Sequence, residues 1–158
     1  MSLQSPRSGI TQKPFTVLIV EDNDDGRFML RTFLQLKGYR VREARDGMEA
    51  IATATSERPD LILMDLQLPR LDGIAVTRHL RMQPDSRSIP IVILSGWDPR
   101  RYRSEAAAAG CDEYLSKPVD FSLLDNIVQR YLQELPASIA ATSSGDLDPG
   151  FKQAAESH

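Results

Sequence analysis

The chain has 158 residues, 41% of them hydrophobic and 26% charged, with a formal net charge of -3 at pH 7. That length fits one domain with a real core, and an acidic balance gives no global attraction for nucleic acid or anionic membranes. No apolar run approaches the roughly 20 residues of a spanning helix, and residues 1–15 lack the apolar centre of a secretory signal, so a soluble, cytoplasmic protein is expected.

In chain order, residues 1–14 are polar, with Pro6 and Pro14, and read as a tail. TVLIV (16–20) is a continuous apolar run of strand length. Residues 24–37 then place Met29, Leu30, Phe33 and Leu36 at helical spacing, with Gly38 as the stop. RVREA (40–44) is the second strand, and residues 46–56 carry Met48, Ile51 and Ala52 behind Asp46 as N-cap. LILM (61–64) is the third strand. Residues 72–82 carry Ile74, Val76 and Leu80. After IVIL (91–94), Asp98-Pro99 opens a helix that ends at Gly110. EYLS (113–116) and a helix over 120–134, with Leu123, Leu124, Ile127, Val128 and Leu132, complete the set. Residues 136–158, rich in Ala, Ser, Gly and Pro, read as a second tail or the start of a linker. The folded part is then 15–135.

Three of the five runs are apolar throughout, as parallel strands covered on both faces must be. Strict alternation of five strands with five helices predicts an α/β, doubly wound sheet. Its ligand site lies beyond the carboxyl ends of the strands. Four strands end there in polar groups: Glu21 and Asp22, then Asp65, then Ser95, then Lys117 with Pro118.

These groups explain one another. Three clustered carboxylates repel, and a hard divalent cation with oxygen ligands relieves them, which points to Mg²⁺ or Mn²⁺. A carboxylate beside such an ion suits nucleophilic attack on phosphorus. An ammonium and a hydroxyl then serve the phosphoryl oxygens. Lys117 and Ser95 are those groups.

VLIVEDN, LILMDLQLPRLDG, VILSG and YLSKP, in this order, resemble the four motifs of the receiver domain of two-component response regulators, the CheY-like, flavodoxin-like family. The likeness covers about 15–135. It implies a five-stranded parallel sheet of order 2-1-3-4-5 with five helices. It implies that Asp65 accepts a phosphoryl group from a histidine kinase or histidine phosphotransfer protein, the domain catalysing its own phosphorylation and a slow autodephosphorylation. Asp22 and Asp65 would bind Mg²⁺ by side chain and Gln67 by its backbone carbonyl, with Glu21 acting mainly through water. Ser95 would hydrogen-bond the phosphoryl group, and Tyr114 matches the aromatic whose inward swing accompanies that step.

Other residues are read beside this frame. Trp97, two after Ser95, and Gln67, two after Asp65, depart from the usual pattern and are candidates for tuning the kinetics, with Trp97 shielding the aspartyl phosphate from water. Arg100, Arg101 and Arg103 at the start of the fourth helix form a basic face for an acidic protein partner or a second receiver, on the helix 4, strand 5, helix 5 side. No DNA-reading element follows residue 135, and direct nucleic-acid binding is not expected. Asp22 competes with Asp24 and Asp25 for the helix cap. The single cysteine, Cys111, precludes an internal disulfide and reads as a small core residue. His79 on a helix surface and His158 in the tail have no predicted role. Two other classes remain: a receiver-like binding module that is never phosphorylated, and an Asp-nucleophile phosphatase, against which Gln67 stands where a second acid is needed.

Overall fold

A computed structural model describes residues 14–133. The tails predicted over 1–14 and 136–158 fall outside the described residues, Pro14 excepted, as does His158. Five strands and five helices alternate: β1 (Thr16–Val20), α1 (Asp24–Leu36), β2 (Arg40–Ala44), α2 (Gly47–Glu57), β3 (Leu61–Asp65), α3 (Gly73–Arg81), β4 (Ile91–Ser95), α4 (Pro99–Ala109), β5 (Glu113–Ser116) and α5 (Phe121–Leu132). All strand pairs are parallel, in the order β2-β1-β3-β4-β5. The predicted architecture and strand order are both observed.

The sheet separates two cores. Leu18, Val20, Ile62, Met64, Ile91 and Ile93 face α2, α3 and α4, and Val17, Ile19, Leu61, Leu63, Val92 and Leu94 face α1 and α5. Every residue of β3 and β4 is buried, which is why their sequences show no polar alternation. Each fully buried Leu or Ile contributes roughly 1.5–3 kcal/mol relative to exposure. β2, at the sheet edge, is largely exposed.

Helix ends follow their capping residues. Asp46, Asp72, Asp98 and Asp120 each cap a helix by accepting from backbone N–H groups two or three residues on. Gly110 ends α4 with φ 112°, a left-handed geometry that glycine adopts at little cost. At α1 the cap is Asn23, whose side chain accepts from the Gly26 N–H at 2.8 Å. Asp24 and Asp25, predicted as caps, lie in the first turn instead, where their charge still favours the helix dipole.

The predicted apolar faces of three helices need correction. In α1 the buried residues are Arg27, Leu30 and Leu34, whereas Met29 and Leu36 are exposed. The helix is rotated because a buried arginine occupies the inward position that a hydrophobic pattern assigns to an apolar residue. In α2 the small Ala50 and Ala54 pack inward, while Met48 and Ala52 are exposed. Gly47 sits so close to the loop before α3 that an added Cβ would meet the Leu71 carbonyl at 2.6 Å, so this helix enters through its small residues. In α5, Leu123 is exposed and the other four predicted residues are buried.

Candidate functional site

The carboxyl ends of β1, β3, β4 and β5 bring Glu21, Asp22, Asp65, Ser95 and Lys117 to one edge. Asp65 and Ser95 are the last residues of their strands rather than the first of the following loops. The backbone seams are tight there: Leu66 N–H donates to the Leu94 carbonyl at 2.9 Å, and Lys117 N–H to the Ser95 carbonyl at 2.8 Å. The Lys117–Pro118 peptide bond is cis.

Carboxylate oxygens of Glu21, Asp22 and Asp65 lie within 4.8 Å of one another. Ligands at opposite corners of an octahedral Mg²⁺ are about 4 Å apart, given bonds of about 2.1 Å, so this all-oxygen donor set fits a hard divalent cation. Glu21 and Asp65 are buried and Asp22 is exposed, which leaves one side of the cluster open to water. Lys117 Nζ bridges the two buried acids, 3.1 Å from Glu21 Oε1 and 3.3 Å from Asp65 Oδ1.

Electrostatics follow from that crowding. Burial, then the Glu21 charge, push Asp65 up to about 6, and Lys117 and the Gln67 N–H, 3.3 Å from Oδ1, hold it from rising further. Burial alone would lower the Lys117 ammonium, but Asp65 and Glu21 outweigh it and keep the group above its ordinary range. The result is a carboxylate with raised basicity, paired with a permanent cation.

Ser95 is fully buried, and its Oγ accepts from the Trp97 N–H at 2.9 Å. The Trp97 ring packs on Tyr102 of α4, with centroids 4.9 Å apart. Tyr114 is already inward, at 2% exposure. Its hydroxyl has no hydrogen-bond partner among the described residues, although Ser95 is near enough to bear on its ionisation; burial is the main cause of its raised pKa. The two hydroxyls are neighbours that do not hydrogen-bond in this structure.

The three arginines of α4 divide. Arg100 is exposed beside Asp98, and the Arg101 guanidinium lies over Tyr102, 5.3 Å from the ring centre. Arg103 turns inward instead, 5.9 Å from the Tyr114 ring centre, with Nη2 donating to the Tyr114 carbonyl at 3.5 Å. It belongs to the packing around Tyr114 more than to a solvated basic face. Gln67 is exposed, His79 is exposed, and Cys111 is a buried core residue as predicted.

The sequence reading missed Arg27. It reaches from α1 to the backbone of Glu21. The signal was present, since 27, 30 and 34 share one helical face, but a charged residue does not register in a hydrophobic pattern.

The response regulator receiver domain model matches residues 17–129. The chain belongs to the response regulator receiver family. Among its relatives is the polar-differentiation response regulator DivK of Brucella anthropi, 34% identical over 119 residues, which cover 75% of this chain and 97% of that protein. A solved receiver domain of the sensor histidine kinase PA1611 from Pseudomonas aeruginosa, with a magnesium ion coordinated in its active site cleft, is 37% identical. Its TM-score is 0.70, over 75% of this chain and 98% of that one. The chemotaxis protein CheY4 of Vibrio cholerae is 33% identical with a TM-score of 0.72, over 76% and 100%. The receiver thus belongs to two-component signalling, where such domains interact with histidine kinases and downstream partners. No helix among the described residues is long and apolar enough to cross a membrane.

Proposed function

We propose that this receiver, spanning 15–135 between two tails, takes a phosphoryl group onto Asp65 from a histidine kinase or histidine phosphotransfer protein, in the cytoplasm and with Mg²⁺. The observation that carries the reading is the buried Asp65 carboxylate, held by Lys117 within a cluster of three acids. An Asp65 oxygen attacks phosphorus, the bond from phosphorus to the donor breaks, and the donor leaves with the electron pair. Glu21, Asp22, Asp65 and the Gln67 carbonyl would hold the cation, which supplies charge neutralisation at the phosphoryl oxygens. Mn²⁺ suits the same oxygen donors. Lys117 neutralises a further oxygen.

Ser95, whose Oγ accepts from the Trp97 N–H, donates its own hydroxyl hydrogen to the phosphoryl group, and this draws in the loop before α4. Tyr114 supports the moved loop from its inward site. Such a switch acts only through the difference in contact energy between its two states. Trp97 shields the aspartyl phosphate, so Trp97→Ala hydrolyses it faster; an unchanged or slower rate would remove that role. Arg100 and Arg101 offer the basic face for an acidic partner or a second receiver, and charge reversal at both weakens that complex.

The deciding experiment is intact-mass analysis after incubation with acetyl phosphate and Mg²⁺. Wild type gains one phosphoryl group, about 80 Da, and Asp65→Asn does not. No adduct would favour an unphosphorylated binding module, and rapid turnover of the donor without adduct would favour a phosphatase.

A further inference from the structure

Arg27 lies at 6% exposure on the inward face of α1, beside Leu30 and Leu34. An arginine so deep requires partners for its donors. Three segments supply them. Nη1 donates to the Glu21 backbone carbonyl at 2.9 Å, Nε to Glu43 Oε1 on β2 at 2.9 Å, and Nη2 to Asp24 Oδ1 at 2.5 Å. Glu43 is steadied in turn by Arg31, whose Nη1 lies 3.1 and 3.0 Å from its two oxygens.

What Arg27 grips is the turn that aims two carboxylates. The Glu21 N–H is fixed to the Ala44 carbonyl of β2 at 3.1 Å, and Glu21 Oε2 accepts from the Asn23 N–H at 3.1 Å. The Glu21 carbonyl, where the chain turns toward Asp22, is held by the guanidinium. We propose that Arg27 is a positioning residue of the divalent-cation site, fixing the acidic turn so that Glu21 and Asp22 face Asp65. The inference rests on the reading of that cluster as the Mg²⁺ site. Arg27 touches neither the ion nor the reacting group, and works through the Glu21 backbone.

Its charge and its grip have opposite consequences. A cation near the site repels Mg²⁺, so removing only the charge would tighten binding. Loss of an outer residue that orients metal ligands weakens binding, typically by about 10- to 100-fold. The sign of the change therefore separates the two.

The test is Mg²⁺ titration of the full chain, followed by the amide shifts of residues 21–23 and 65–67, for wild type, Arg27→Met and Arg27→Lys. Well-dispersed spectra report folding of each variant. Arg27→Met is expected to weaken Mg²⁺ by about 10-fold or more. Arg27→Lys, which keeps the charge but cannot reach three partners, is expected to weaken it too. Unchanged or tighter binding in Arg27→Met overturns the proposal, and if that variant does not fold, unchanged binding in Arg27→Lys does so. A wild type that binds no Mg²⁺ overturns the site reading and this inference together, whereas wild-type binding with unaffected variants overturns this inference alone.

Discussion

Lys117 Nζ lies 3.3 Å from Asp65 Oδ1, in a pair whose carboxylate side chain is 5% exposed and whose lysine side chain is 32% exposed. The acid is sealed and the cation reaches outward. Replacing Lys117 by Ala removes the counter-charge and, on the proposed function, a stabiliser of phosphoryl oxygens. Phosphorylation by acetyl phosphate is expected to fall at least about 100-fold, the usual effect of losing one preorganised group of this kind. Mg²⁺ binding in the same variant stays as tight or tightens, because the competing ammonium is gone. A rate assay with a parallel Mg²⁺ titration checks both.

Asp65 also sets a pH dependence of stability. Its carboxyl is pushed up to about 6 in the folded protein, first by burial and then by Glu21, while an unfolded Asp sits near about 3.9. The folded state therefore holds the extra proton between those values. The stability this gives is complete below about 4 and is lost as pH rises through about 6. Asp65→Asn should be more stable than wild type at pH 7.5 by about 1–3 kcal/mol, with the gap closing towards pH 4. Urea unfolding at the two pH values measures it.

Gly73 begins α3 against the end of β3, where an added Cβ would meet the Asp65 carbonyl at 2.6 Å and Leu66 Cα at 3.0 Å. Both are backbone atoms and cannot turn aside. Gly73→Ala is expected to cost roughly 1–3 kcal/mol in stability and to slow phosphorylation by displacing Asp65. Thermal melts and the acetyl phosphate assay test the two effects separately.

Cys111 is buried, and burial first, then Asp112, push its thiol up to about 12. At pH 8 the folded protein should resist iodoacetamide, reacting at least about 1,000-fold more slowly than denatured protein if alkylation requires unfolding. An unfolded thiol ionises near about 8.5, so the stability from the neutral buried thiol is lost as pH rises from there towards 12. Cys111→Ala should flatten that alkaline decline in an unfolding series.

Much of this was readable from sequence for a physical reason. A strand covered on both faces has no polar alternation, so TVLIV, LILM and IVIL stood out, and parallel alternation places their ends together. Asp65, Ser95 and Lys117 were therefore found without any contact being known. Orientation within helices was less legible. α1 offers Met29, Leu30, Phe33 and Leu36 as a plausible face, yet of these only Leu30 joins Arg27 and Leu34 among the buried residues, because Glu21 and Glu43 await a guanidinium. The inward Tyr114 was equally hidden, since its ring is enclosed by the packing of α4 through Arg103 and no local pattern encodes it. Asn23, Asp24 and Asp25 are all suitable caps by type, and only geometry selects Asn23.

The edge strand β2 has a further consequence. Along it, Arg42 pairs with Glu57, and Glu43 pairs with Arg27 and Arg31, so a backbone edge without a partner strand among the described residues is flanked by ionised groups anchored to neighbouring helices. An incoming foreign strand would have to strip water from those charges before it could form a ladder. The Glu43 salt bridges, proposed above to steady the acidic turn through Arg27, thus also act with Arg42–Glu57 as a guard against sheet extension and aggregation.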